Sequence, residues 1–421
     1  MRIAVIGSGI AGLSATWFLR KQHEVTLFER WPRLGMDAHT VDIDCGDQTL
    51  SINVPMRVFF PEYYPTLTAL YQELGVSYEP VQYSGSFSHF GSDTYFRYRN
   101  YWLGSLAVPF LAGRSARTLT GLKIGRELVR LLRTSHRHSV HADADALSLS
   151  EYLSREGYSS LFAEQFLYPT FAGICTCTYE SIKAYPASVV LEYLNSGLTW
   201  SRVNKLTHGT RDVAERLAAS AANVVLGSPL KSVLPNREGV QILDEDGSAQ
   251  QFDHAVIATQ ANQALKLLPE ASPAERAALQ TFRYEKSRIV VHRDAALAPR
   301  NPAEWAPVNF LLAKDQDKPM ASIALNRIHP LLKDQPDVFE TWNPYQDIKP
   351  RDLLLDADLE RPIVSQESLQ GVRQLEALHA EPDRKIWFCG SYSRRGIPLL
   401  ESAAASAMTI ANRLNAQIAQ S

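Results

Sequence analysis

Three glycines and one acid carry the first chemical signal in this chain. The run Gly7-Ser8-Gly9-Ile10-Ala11-Gly12 follows a short apolar stretch, Arg2 to Ile6, and opens a segment that reads as helical to Lys21. A second apolar stretch, Glu24 to Phe28, then ends on Glu29. In such a G-x-G-x-x-G turn the first glycine permits the tight bend. The second lets backbone approach a pyrophosphate, and the third lets helix and strand pack closely. The helix N-terminus offers unpaired N–H groups and a positive dipole end to phosphate. A carboxylate about twenty residues further on can accept hydrogen bonds from a ribose diol. Strand, glycine turn, helix, strand and Glu29 together read as a dinucleotide site.

Other reactive side chains carry weaker signals. Cys175-Thr176-Cys177 has no second Cys/His pair at a ligand spacing nearby, so no metal is expected, and Cys45 and Cys389 complete a set too sparse for a disulfide framework. His136, Arg137, His138 and His141 cluster without an acidic partner and read as a solvated loop. Just before them Lys123, Arg126, Arg130, Arg133 and Arg137 recur at steps of three and four, which places them on one stripe of a helix. Leucines and valines fill the remaining positions, Glu127 is the single acid, and the uncharged stretch Tyr101 to Gly113 lies upstream. That pattern suits a solvated helix face, an anionic membrane surface or an acidic carrier protein.

The elements that must position these groups fall into three separated segments. The opening unit is the first. The second runs from Leu206 to Thr259, with a helix over Asp212–Ala222 and a short strand over Asn223–Leu226. A hairpin around Asp244-Glu245-Asp246-Gly247 follows, then an apolar strand from His254 to Thr259. The third has a buried strand, Lys385 to Cys389, then Gly390-Ser391-Tyr392 and a helix from Leu399 to Leu414. The expected fold is α/β: a discontinuous Rossmann-like domain from residues 1–57, 205–264 and 376–421. Residues 58–112 and 265–375 form an inserted α+β substrate domain, and residues 113–204 its helical part. A length of 421 residues, 21% charged residues and a net charge of -2 fit a soluble protein and give no case for nucleic acid. The first strand begins at residue 2 and no apolar stretch is long enough to span a bilayer. A cytoplasmic protein, with peripheral membrane contact left open, is therefore expected.

At this level the chain resembles the flavin-containing amine oxidase and phytoene desaturase superfamily. Within it, the chain is most similar to bacterial FAD-binding flavoproteins associated with cyclopropane-fatty-acid synthases. The matching blocks are Ile3 to Ala15, Glu24 to Glu29, Arg33-Leu34-Gly35, Tyr64 to Leu70 with Glu73 to Val76, Phe252 to Thr259, and Trp387 to Tyr392. The resemblance implies noncovalent FAD bordered by Gly7, Gly9, Ile10, Ala11, Gly12, Glu29, Arg30, Met56, Arg57 and Thr259. By family position Glu29 would hold the adenosine ribose, Arg33 and Gly35 would lie along the pyrophosphate, and Leu230 would meet adenine through its backbone. Gly390 and Ser391 would take the second phosphate. Leu399 and Leu400, at a helix start, would face flavin N1 and O2, where a positive dipole end stabilises negative charge.

The sequence departs from the family toward the flavin and substrate end. Met36 replaces a second glycine, Pro55 another glycine and Asn53 an acid, while Ser393-Arg394-Arg395-Gly396-Ile397-Pro398 replaces an aromatic and His-containing stretch. The aromatic cage that amine oxidases place after Gly390 is absent from that block. Candidate catalytic residues are Arg57 and Arg394 or Arg395, which could stabilise anionic reduced flavin or pair with a substrate carboxylate or enolate. Lys286 stands roughly where some amine oxidases hold a water at flavin N5. The leading expectation is an FAD-dependent oxidase or dehydrogenase that forms C=C or C=N in a hydrophobic or carrier-bound substrate. A flavin amine oxidase for a small free amine and a non-catalytic lipid- or partner-binding protein are the alternatives.

Overall fold

The computed structural model describes residues 1–104, 106–139, 146–198 and 200–418. Its nucleotide-side sheet has five parallel strands in the order Asn223–Val225, Glu24–Phe28, Arg2–Ile6, His254–Ile257 and Ile386–Phe388. Ile3 to Ile6, Val25 to Phe28 and Ala255 to Ile257 are all buried, as strands covered on both faces must be. The helix Ile10–Leu19 packs on this sheet beside the helix Leu400–Ile418. Fully buried Ala404, Ala407 and Ala411 let the two helices approach closely. A three-stranded antiparallel sheet, Leu230–Asn236, Gly239–Asp244 and Ala249–Phe252, stands alongside. Its second turn closes on Gly247, whose φ of 86° suits glycine.

The second layer is an eight-stranded mixed sheet in the order Leu353–Pro362, Tyr284–His292, Phe339–Trp342, Met320–Ala324, Val308–Leu312, Gly85–His89, Thr94–Leu103 and Leu106–Leu111. Five of these strands come from the proline-rich 265–375 segment, where the sequence had suggested one, Ser287 to His292. The prolines explain the shortfall. Pro299, Pro302, Pro307, Pro319, Pro330, Pro336, Pro344 and Pro350 all fall between strands, where a missing N–H costs no ladder bond.

Of the helices Leu119–Ser139, Leu149–Arg155, Tyr168–Cys175, Tyr179–Ala184 and Ala187–Tyr193, the first packs on Thr94–Leu103 and the third on Val308–Leu312, and the others pack on these helices and on one another. The join is aromatic: Phe166 meets Phe87 and Phe96 with ring centroids 5.1 and 5.2 Å apart, and Phe87 stacks on Phe310 at 4.8 Å. His136 to His138 belong to the end of the first of these helices rather than to a loop. Their side chains, and all of His141, lie outside the described residues. No described helix is long and apolar enough to cross a membrane.

Candidate functional site

The glycine turn is built as its spacing demands. Gly7 has φ +100°, and a Cβ on Gly12 would stand 1.8 Å from the Gly7 carbonyl oxygen. A Cβ on Gly9 would meet nothing within 4 Å, because that face opens onto a cavity. Gly35 closes the other side, where a Cβ would sit 3.1 Å from the Gly9 nitrogen.

Glu29 is buried and fixes the turn. Its Oε2 accepts the Ser8 backbone N–H at 2.9 Å and the Ser8 hydroxyl at 2.6 Å, while Oε1 accepts the Trp31 N–H at 3.1 Å. Ser8 Oγ in turn accepts the Gly35 N–H at 2.7 Å. The acid thus ties the glycine turn to the Arg33–Gly35 loop, and its Oε1, which accepts one hydrogen bond, retains lone-pair capacity for a sugar hydroxyl.

The cavity has a volume of about 450 Å³, within the range of small-molecule sites. At one end it is walled by Gly9, Ile10, Ala11, Gly35, Thr259 and Gly390. Ser391, Leu399 and Leu400 also border it, so two helix N-termini, at Ile10 and Leu400, meet the same space. The other end is aromatic, with Phe60, Tyr64, Tyr193, Phe310 and Trp342 on the wall. Tyr63 packs edge-on to Tyr193 at 4.5 Å and braces this group from behind.

The comparisons with known proteins bear on this arrangement. Residues 5–74 match the model of an NAD(P)-binding Rossmann-like domain. No curated protein sequence matches the chain. Among solved structures, a CLA-producing fatty acid isomerase from P. acnes superposes with a TM-score of 0.70 at 15% identity, covering 98% of each chain. A putrescine oxidase gives 0.65 at 15% identity over 99% of each chain. Cyclohexylamine oxidase from Brevibacterium oxydans IH-35A gives 0.65 at 14% identity, over 98% of this chain and 99% of that one. The fold is amine-oxidase-like. That fold brings the glycine turn, the Met56 loop and the Gly390 turn to one cavity, although they lie far apart in the chain.

Not every residue expected at the site reaches it. Arg30 is exposed, lies over the Trp31 ring at 4.7 Å and reaches Gln263, while Arg33 is exposed beyond the cavity wall. Leu230 is half-buried against the nucleotide-side core rather than on the cavity, although Ser228, two residues before it, donates its N–H to the Glu29 carbonyl. Gly390 borders the cavity, but its N–H already donates to Ser406 Oγ at 3.0 Å, and a Cβ there would strike the Tyr392 ring. Met36 is buried and forms part of the cavity wall.

Three of the four catalytic candidates are corrected by their placement. Arg394 is exposed and off the cavity. Arg395 is held by Glu192 at 2.8 Å. Lys286 points to solvent with its side chain 76% exposed, 3.9 Å from Glu360, two residues beyond the cavity-lining Tyr284. Only Arg57 lies on the cavity.

Arg57 has companions that the sequence reading missed. Arg361 also lines the cavity, donates to the Ile174 carbonyl at 3.2 Å and lies over the Trp342 ring at 5.3 Å. Glu340, fully buried, has both oxygens 2.9 Å from the Met56 N–H and so anchors the loop that carries Arg57. Burial, with Arg361 nearby, pulls Arg57 down to about 10. Burial pushes Glu340 up to about 8, even though the Met56 N–H and both arginines oppose it.

A signal for Arg361 existed. Leu355, Ala357 and Leu359 alternate on the core-facing side of their strand, and period two places Arg361 on that same side. Glu340 showed only as an acid between Phe339 and Thr341 in a buried strand, a weak mark by itself.

The raised Glu340 carboxyl has a consequence for stability. Between its ordinary value near 4.5 and about 8 the folded protein holds a proton that the unfolded chain has released. The contribution is complete below the ordinary value and is lost as pH rises toward about 8. Chemical denaturation of the wild type should therefore show stability falling across that window, and Glu340→Gln should flatten the fall. Parallel profiles for the two proteins would refute the assignment.

Proposed function

We propose that this chain is an FAD-dependent oxidoreductase that removes a hydride from a hydrophobic or carrier-bound substrate, forming C=C or C=N. The observation that carries the reading is one continuous cavity with a dinucleotide cradle at one end and an aromatic chamber at the other. The residues present fit FAD. Gly9 leaves open space for a pyrophosphate, buried Glu29 beside the same turn keeps an acceptor for a ribose hydroxyl, and the start of the helix at Leu400 borders the cavity. When bound, the flavin supplies a hydride acceptor. The chain's part is to orient the substrate on the rings of Phe60, Tyr64, Tyr193 and Trp342, to exclude water, and to place charge beside the reacting carbon. Noncovalent binding is supported by Cys389, which is fully buried off the cavity with its thiol pushed up to about 12 by burial. Among the described residues no group of His, Cys, Asp or Glu is arranged to hold a metal ion.

The charge of the chamber disfavours a small free amine. Arg57 and Arg361 both face the cavity, and Glu340 beside them favours its neutral form. Glu360, on the same wall, lies beside Lys286. An ammonium would meet two guanidiniums in a low-dielectric site, whereas a carboxylate or enolate oxygen would be stabilised there. The fatty acid isomerase among the structural neighbours acts, by its name, on an acid of that kind.

Purified protein should show an oxidised-flavin absorption spectrum. Anaerobic addition of a hydrophobic acid or its carrier-linked form should bleach it more readily than a simple primary amine does. A colourless protein that takes up no added FAD would end the reading, and selective bleaching by amines would replace the substrate assignment.

A further inference from the structure

We propose that the hairpin formed by the strands Thr94–Leu103 and Leu106–Leu111 and the helix Leu119–Ser139 form a docking surface for an anionic lipid bilayer. Within this surface the groove between the two elements leads from the bilayer to the cavity. The case begins with apolar side chains in water. Tyr101, Leu103 and Phe110 on the hairpin, with Leu119, Leu122 and Val129 on the helix, are all exposed, Leu103 at 73% and Leu119 at 78%. Isolated exposed apolar residues are ordinary, but Phe110, Leu122 and Val129 wall one groove and Tyr101 packs edge-on to Phe110 at 5.6 Å, a patch of the kind that marks an interaction surface.

The same face is cationic. Lys123, Arg126, Arg130 and Arg133 are exposed between Leu122 and Val129 and beyond, while Ile124, Glu127 and Leu131 turn inward. Glu127, the one acid of the described helix side chains, is drawn into the interior. It accepts the Ser159 N–H at 2.8 Å and the Ser159 hydroxyl at 2.7 Å. The outward face therefore mixes large apolar groups with cations and carries no acid among its described residues. On the hairpin, Arg99 lies over the Tyr101 ring at 5.7 Å and Arg202 over the Trp102 ring at 5.0 Å, adding cations beside exposed rings. Apolar groups that enter the acyl boundary, ringed by cations at headgroup level, match an anionic bilayer. An acidic protein would satisfy the cations but would leave Leu103 and Leu119 without a comparable apolar phase.

Continuity with the proposed active site points the same way. The groove between hairpin and helix is walled by Phe110, Leu122, Arg126 and Val129 among others. Its inner residues Tyr98, Pro109 and Leu128 are also walls of the main cavity. These shared walls set the groove against the chamber, the side from which, on this proposal, a hydrophobic substrate dissolved in a membrane enters.

The test is sedimentation of the full chain with vesicles, a readout independent of bound flavin and of turnover. We expect vesicles of phosphatidylcholine with about 30% phosphatidylglycerol to bind the protein about tenfold more strongly than phosphatidylcholine alone. Salt at about 0.5 M should remove most of the difference. Leu103→Asp with Phe110→Asp should abolish binding, and Arg126→Glu with Arg133→Glu should abolish the preference for anionic lipid. Arg130 is left in place because it holds the Glu156 and Gly157 carbonyls and covers the Tyr158 ring. Circular dichroism checks that the variants fold, and the salt titration of the wild type stands even where one does not. No sedimentation of the wild type, equal binding to neutral vesicles, or folded variants that bind as before would each overturn the proposal. So would capture by an acidic acyl carrier protein in place of vesicles.

Discussion

Gly9→Val should give a folded protein that has lost its flavin, whereas Gly12→Val should give little folded protein at all. The two glycines stand three residues apart in one turn, and the difference lies in what a side chain would meet. At position 9 the backbone is extended, with φ -65° and ψ 173°, which a branched residue adopts without strain. A Cβ there contacts nothing within 4 Å, so the apo fold tolerates it. The open space is what a pyrophosphate would need, and a valine methyl placed in it should weaken binding of the proposed flavin dinucleotide by about a hundredfold or more. At position 12 a Cβ would lie 1.8 Å from the Gly7 carbonyl oxygen, and backbone must move to relieve it. Overpacking of this kind costs typically 1–3 kcal/mol and more where backbone is the obstacle. The usual helix gain from replacing glycine by alanine, about 1 kcal/mol, would not compensate even for Gly12→Ala. Flavin content per protein by absorbance and the thermal midpoint of each variant check both halves. A Gly9→Val protein as yellow as the wild type would show that the cofactor does not pass that point.

The part of the molecule legible in the sequence is the part fixed by local rules. Gly7, Gly9, Gly12 and Glu29 lie within one strand–turn–helix–strand unit, so their spacing states their geometry directly. The strands His254–Ile257 and Ile386–Phe388 were legible because a doubly covered parallel strand must be apolar throughout. The chamber was not, since it depends on long-range pairing. Glu340 meets Met56 across 284 residues, and Arg361 comes to the same space from the far end of the second sheet. The aromatic wall misled for a related reason. The stretch after Gly390 lacks the rings that a cage there would need, yet Phe60, Tyr64 and Tyr193 bring rings to the chamber from other elements. Arg394 and Arg395 follow from proximity in sequence to the Gly390 turn, and Lys286 from a family position alone. Proximity in sequence does not decide on which side of a turn or strand a long charged side chain emerges.

Arg57→Met should lower turnover by about 10²- to 10³-fold while leaving the flavin bound, and Arg394→Ala and Lys286→Ala should stay within about twofold of wild type. Methionine keeps much of the volume of the arginine stem, and the loop itself is held by Glu340 through the Met56 N–H, so the cavity wall should persist. What disappears is a fixed positive charge in a water-poor chamber, where one preorganised donor to developing negative charge is worth orders of magnitude in rate. Steady-state kinetics then separate two roles. A fall in kcat means that Arg57 stabilises charge that appears only in the transition state. A rise in KM with kcat preserved means that it binds an anion already present on the substrate. Arg57 also acts on Glu340, because its charge is one of the influences opposing the upward shift of that carboxyl. Its removal should therefore extend the Glu340-dependent decline in stability to higher pH at its upper end, a readout that needs no substrate. An Arg57→Met protein with unchanged kinetics and an unchanged pH profile would place that guanidinium outside both the chemistry and the electrostatics of the chamber. Arg361, over Trp342 on the same cavity, would then be the charge to remove next.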